Sequence, residues 1–153
     1  MFFFIIISSY TFAQNCVDTK TGVFSYVTNG MKVFIVRYEN EQIEFFNKGD
    51  SKLLESVKWT SDSTYILTHI IDKNVNGSLK KGDKIFSTVV SCKDSTVIVD
   101  SYLLKKDAKE SDKISIGKNV ITRMMLFRDE DIPIMLEKFK KSMLPLPKDN
   151  EKD

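Results

Sequence analysis

A chain of 153 residues is long enough for one domain with a real core and too short for two ordinary ones. With 42% hydrophobic residues it should fold, and 23 basic residues against 21 acidic ones leave no excess charge to direct it to nucleic acid or an acidic membrane. Three arginines alone (Arg37, Arg123 and Arg128) argue against bidentate phosphate reading.

Residues 1–13 (MFFFIIISSYTFA) read as a signal peptide. The run is short, uncharged and apolar, and Thr11-Phe12-Ala13 fits a cleavage site. It falls short of the roughly 20 residues a spanning helix needs, so no membrane span is expected in the mature chain. No Lys or Arg precedes the run, and a buried N-terminal strand is the rival reading. The expected location is periplasmic or extracellular. Cys16 follows Gln14-Asn15 rather than a small residue, so lipid anchoring at Cys16 is not expected. Cys92 is the other cysteine. In an exported chain the pair reads as one disulfide, contributing about 4 kcal/mol on the chain-entropy view. Two unpaired thiols are the alternative.

Residues 14–128 read as an all-β domain. Gly22–Val27 alternates, and Asn29-Gly30 is a strong hairpin signal because both residues tolerate positive φ. Met31–Tyr38 is apolar on both faces. Gln42–Asn47 and Leu53–Trp59 follow across polar turns. Thr64–Ile71 is β-branched and aromatic, which suits a half-buried pleated surface. Asp72–Asp83 is expected to be an open loop. Lys84–Cys92 and Thr96–Leu104 form a hairpin, Lys105–Asp112 is a charged excursion, and Lys113–Ile116 a short strand. Gly117-Lys118-Asn119 is expected to turn into a last strand, Val120–Phe127. The pattern predicts a mainly β fold: a small antiparallel β-barrel or rolled sheet of about 8 strands, with its edges closed on each other.

The period then changes. Within 129–147, Ile132, Met135, Leu136, Phe139 and Met143 fall on one face of a helix. Asp131 is placed to cap it and Pro133 to sit in its first turn. This C-terminal amphipathic α-helix is expected to pack on the barrel, whose two-faced strands need covering outside as well as inside. Residues 148–153 read as a disordered tail.

The search for chemistry yields little. His69 is the single histidine and reads as a strand residue beside Tyr65, Leu67 and Ile71. One histidine and two distant cysteines do not supply a metal set, and no metal or other cofactor is expected. No Gly-x-Ser-x-Gly elbow accompanies the serines. Glu44, Glu55 and Asp100 could be drawn as carboxylate pairs, but each reads as an outward strand charge. Asn76-Gly77-Ser78 reads as a turn. Basic and aromatic residues are too evenly spread for a single-strand platform, so no nucleic-acid partner is expected. Phe24, Tyr26, Trp59, Tyr65 and Tyr102 are the aromatic residues expected near a lumen pocket, or else simply filling the core.

The opening Cys16-Val-Asp-Thr-Lys-Thr-Gly22-Val-Phe24 and the stretch Val57-Lys-Trp59-Thr-Ser-Asp62-Ser-Thr-Tyr65 resemble a family of small uncharacterised exported bacterial proteins. A Lys81-Gly82-Asp83 turn before a strand fits the same pattern, and the likeness runs from Cys16 to Leu104. In that family a second cysteine falls in the turn after the Trp, where this chain has Ser63. The departure leaves Cys92 as the partner available to Cys16. Some relatives carry a topoisomerase label, which this chain does not support: it shows no nucleotide loop, no acidic metal cluster and no recognisable tyrosine nucleophile.

The reading that follows is an exported, non-catalytic β-barrel binding a small apolar ligand or an envelope protein. A filled-core interaction module capped by its helix is the first alternative. A hydrolase without a recognisable motif is the second.

Overall fold

A computed structural model describes residues 17–75, 77 and 79–144. The expected leader, Cys16, the Asn76 and Ser78 positions and the tail lie outside these residues. Eight strands follow in order: β1 Gly22–Thr28, β2 Met31–Tyr38, β3 Glu41–Phe46, β4 Ser51–Trp59, β5 Thr64–Lys73, β6 Lys84–Lys93, β7 Thr96–Leu104 and β8 Ile114–Arg123. Each pairs antiparallel with the next and β8 returns to β1, so the sheet closes as an up-and-down barrel. One helix, α1 (Ile132–Met143), follows a short 3-10 turn at Asp129–Asp131.

The turns follow the chemistry of their residues. Asn29 and Gly30 take φ of 50° and 73°, the left-handed pair that a tight hairpin needs. Asp83 ties together the two long loops at that end of the barrel. Its carboxylate accepts from the backbone N–H of Lys80 and of Lys106, at 2.8 and 3.0 Å, and from Lys105 Nζ at 2.9 Å. Gly82 beside it has φ of 93°, and a Cβ there would meet the Lys106 side chain at 2.9 Å.

Two expectations about the last strand need correction. Gly117-Lys118-Asn119 is not a turn, because β8 runs through it. Its register against β7 shifts between Ser101 and Tyr102, and a bulge with Gly117 at φ of 84° absorbs the break. Met124–Phe127 then leaves the sheet, as a segment without strand or helix structure. Another register shift, opposite Leu54/Glu55, turns Ile71 away from the face that carries Tyr65, Leu67 and His69. Ile71 packs outside, against the helix cluster.

The core has two storeys. Outside the barrel, Ile132, Leu136 and Met143 of α1 meet Val23, Val36, Ile43 and Leu54 from the wall. Phe139 sets its ring edge-on to Phe45 at 4.6 Å. The helix therefore covers the outer face of β1–β4, which accounts for the apolar character of β2 on both sides. Asp131 does not cap α1 with its side chain. It receives Arg128 Nε at 3.0 Å instead. Inside the barrel, Val57, Tyr65, Leu67, Cys92, Val97 and Val99 form the second cluster, with Val17 and Trp59 packed on it.

Candidate binding site in the barrel lumen

The inward face of the barrel is unusually polar on one side. The β2–β3 register sets Ile35 opposite Glu44 and Arg37 opposite Gln42. The next ladder sets Gln42 opposite Glu55. Ile43 lies between them on the outer face under α1, so strand alternation drives Gln42 and Glu44 inward. Gln42 is fully buried and Glu55 nearly so, at 1% exposure.

The Gln42 amide joins the group. Its Nε2 donates to Glu44 Oε1 at 3.0 Å and to Glu55 Oε2 at 2.7 Å, and its Oε1 accepts from Arg37 Nε at 2.8 Å. Tyr26 donates its hydroxyl to Glu44 Oε2 at 2.9 Å. Arg37 Nη1 reaches the Thr19 carbonyl at 2.9 Å. Its guanidinium lies 4.6 Å from the Tyr65 ring centroid and within 6 Å of the Phe24 and Trp59 centroids, at 5.8 and 5.9 Å. The ring faces return to such a cation part of what it loses in hydration. Arg123 Nη1 also holds the Asp18 carbonyl, so the segment around Asp18 and Thr19 is tied across this end of the barrel.

Burial sets the protonation of the pair. It pushes the Glu55 carboxyl up to about 8, with the neighbouring Glu44 charge adding to the rise and Gln42 and Arg37 opposing it. Burial raises Glu44 as well, against the hydrogen bonds from Tyr26 and Gln42 and the Arg37 charge. Both carboxyls therefore resist ionisation, and each resists it more when the other is charged.

A stability consequence follows from the sign of this shift. A carboxyl raised from 4.5 to about 8 in the folded state adds stability in full below about pH 4.5 and loses it as pH rises through 8. Unfolding free energy is expected to fall across that window, and Glu55→Gln to flatten the fall. Denaturant titrations at a series of pH values for both proteins measure it. Equal slopes in the two would contradict the raised Glu55 carboxyl.

Above the floor lies a cavity of about 130 Å³. Tyr26, Arg37, Glu44, Ser87, Ser101 and Asn119 offer it polar atoms, and Ile35, Leu67, Ile85, Val99 and Ile121 form its apolar wall. Ser87 and Ser101 hydroxyls pair with each other at 2.9 Å. The barrel is weakly closed beside it. Among the described residues the β1–β8 ladder holds the pairs Phe24↔Arg123 and Ser25↔Thr122, Met124 N–H donates to the Val23 carbonyl beside them at 2.7 Å, and residues 26–28 run on without a β8 partner. The cavity is lined from both sides of this seam, by Thr28 of β1 and Asn119 of β8. Val27 and Val120, the next residues along it, are 63% and 56% exposed.

The aromatic candidates divide. Tyr26 and Tyr65 line the cavity. Phe24 is buried below it, around a small void shared with Arg37 and Tyr65. Trp59 lies at the closed end, 4.6 Å from the Tyr65 ring centroid. Tyr102 is on the outer surface, stacked on Phe86 at 4.9 Å with Lys113 Nζ 4.4 Å over its ring. The expected outward placement of Glu44 and Glu55 is overturned, since both face the lumen. Arg37, Gln42, Ser87 and Ser101 also belong to the lumen, although none is among the aromatic residues expected near a pocket.

His69 is buried and its Nε2 lies 3.1 Å from Asp72 Oδ2. Its Nδ1 has no hydrogen-bond partner among the described residues, and no serine or cysteine completes a triad there. No group of three or more potential metal ligands occurs among the described residues. Cys92 is buried in β6 within the inner cluster. The chain matches no family model, no curated protein and no solved structure, so the lumen is read from its own geometry.

Proposed function

We propose that this protein is an exported, non-catalytic binder of a small, mostly apolar molecule carried in the barrel lumen. The observation that carries the reading is the cavity of about 130 Å³, lined by apolar side chains with the polar groups of Tyr26, Glu44, Ser87 and Ser101 set among them. A cavity of about 150 Å³ suits a molecule the size of benzene. Arg37, Gln42, Glu44 and Glu55 are already bonded within the floor, which favours an uncharged head that donates and accepts hydrogen bonds, such as an alcohol, phenol or amide, over a full ionic charge. The β1–β8 seam is the entry route.

The export reading rests on the apolar leader at residues 1–13. The Cys16–Cys92 bridge is part of the same proposal. It is supported by Val17, the residue after Cys16, which packs on the cluster that contains Cys92. Mass spectrometry of the protein recovered from its host tests these points together. Under native conditions a small non-covalent adduct is expected, and Val99→Phe, which fills the cavity, is expected to remove it. Denatured, the chain should start after residue 13 and gain two protons on reduction. An adduct that survives Val99→Phe in a folded variant would place the ligand outside the lumen.

A further inference from the structure

A second site lies outside the barrel and is independent of the lumen reading. Between α1 and the wall runs an apolar groove of about 510 Å³. Phe34, Phe45, Phe127, Met135 and Phe139 dominate its lining, and the two charged residues in it are Lys48 and Lys52. No carboxylate lines it. Next to Phe127, Leu126 and Met125 are 88% and 73% exposed, and Phe127 itself 40%. Three consecutive exposed apolar residues at a loop tip have no part in the core that α1 already forms with Ile132, Leu136 and Met143.

The charged residues that line this groove, Lys48 and Lys52, are both basic, and further lysines lie beside it. Lys32 Nζ lies 5.1 Å over the Phe34 ring. Ile134, Lys138 and Lys141 share a helix face at i, i+4 and i+7, adjoining Met135 and Phe139, and Ile134 is 69% exposed. Among the described residues, Lys32, Lys48, Lys52, Lys138 and Lys141 make no ion pair. Lys52 donates to Ser142 Oγ at 2.8 Å. The acidic residues that follow the loop are already taken. Asp129 pairs with Arg123 at 2.6 Å, and Glu130 and Asp131 pair with Arg128 at 2.7 and 3.0 Å.

An apolar tip and groove ringed by uncompensated lysines complement acyl chains beneath anionic headgroups. We propose that this face docks the protein on an anionic lipid surface, with Leu126 and Phe127 entering the acyl boundary and the lysines meeting the headgroups.

Flotation with phosphatidylglycerol-containing and pure phosphatidylcholine vesicles tests it on the full chain. Binding is expected to the anionic vesicles and to weaken with salt. Leu126→Asp and Lys48→Glu, both at exposed positions, should each weaken it at least about tenfold. Val99→Phe, which fills the lumen, should leave it unchanged. No binding, equal binding to both vesicles, or binding that ignores Leu126→Asp would overturn the proposal. So would a dimer in sedimentation that Leu126→Asp dissolves without any vesicle binding, since the face would then belong to a second copy.

Discussion

Gln42→Leu is expected to lower stability by about 3–5 kcal/mol at neutral pH, read as a shift of the urea midpoint. The side chains are close in size, so the loss does not come from a cavity. It comes from three groups left behind. Glu44 and Glu55 each lose a donor, and Arg37 loses the acceptor for its Nε. All three partners are buried, Arg37 at 4%, Glu44 at 8% and Glu55 at 1% exposure, so water replaces little of what the amide supplied. Removing the whole polar set would cost far less than removing its centre, because the penalty lies in stranded charges. Changing Arg37, Gln42, Glu44 and Glu55 together to apolar residues should therefore be milder than Gln42→Leu alone. A loss under about 1 kcal/mol for Gln42→Leu would mean that the carboxyls are satisfied by solvent.

Ile132→Ala should cost about 2–5 kcal/mol, the range for a large aliphatic truncated in a tight site. Ile132 is fully buried at the first turn of α1, against a wall that includes fully buried Ile43. It is the point at which the helix is pinned. The cost has two parts: the transfer of the lost methyl groups and the void they leave between helix and barrel. Ile134→Ala, two residues on, is the control. Its side chain is 69% exposed, and the change should stay within about 0.5 kcal/mol. If the two variants lost equal stability, α1 would not be part of the cooperative fold.

The barrel and its helix were legible because their signals are periodic. The alternation in β1, the Asn29-Gly30 hairpin and the Ile132–Met143 stripe are local and survive any choice of neighbours. The need for an outer cover was legible too, since Met31–Tyr38 carries apolar residues at both parities. The lumen was not legible, for a specific reason. The sequence Gln42-Ile43-Glu44-Phe45 fits two placements, and a lone sheet would turn the charges to water. Which face is inside depends on α1 claiming Ile43 and Phe45, a contact about ninety residues away in sequence. Had the helix been assigned to this strand first, Gln42 and Glu44 would have been read as lumen residues. Two bulges defeated parity counting elsewhere, moving Ile71 outward and carrying β8 through Gly117. Tyr102 was misjudged for a related reason. An aromatic residue in a strand is equally at home stacked on a cross-strand neighbour outside, as it is here on Phe86.

The central claim is that the lumen accepts a small molecule through the β1–β8 seam. Methyl NMR of the protein titrated with small phenols and alcohols tests it most directly. The account predicts saturable shifts at the methyls of Ile35, Leu67, Ile85, Val99 and Ile121, which wall the cavity, with the methyls of Ile132 and Leu136 under the helix unmoved. Shifts confined to Val23, Val36 and Met135 along the outer groove, or none at the lumen methyls at any concentration, would contradict it.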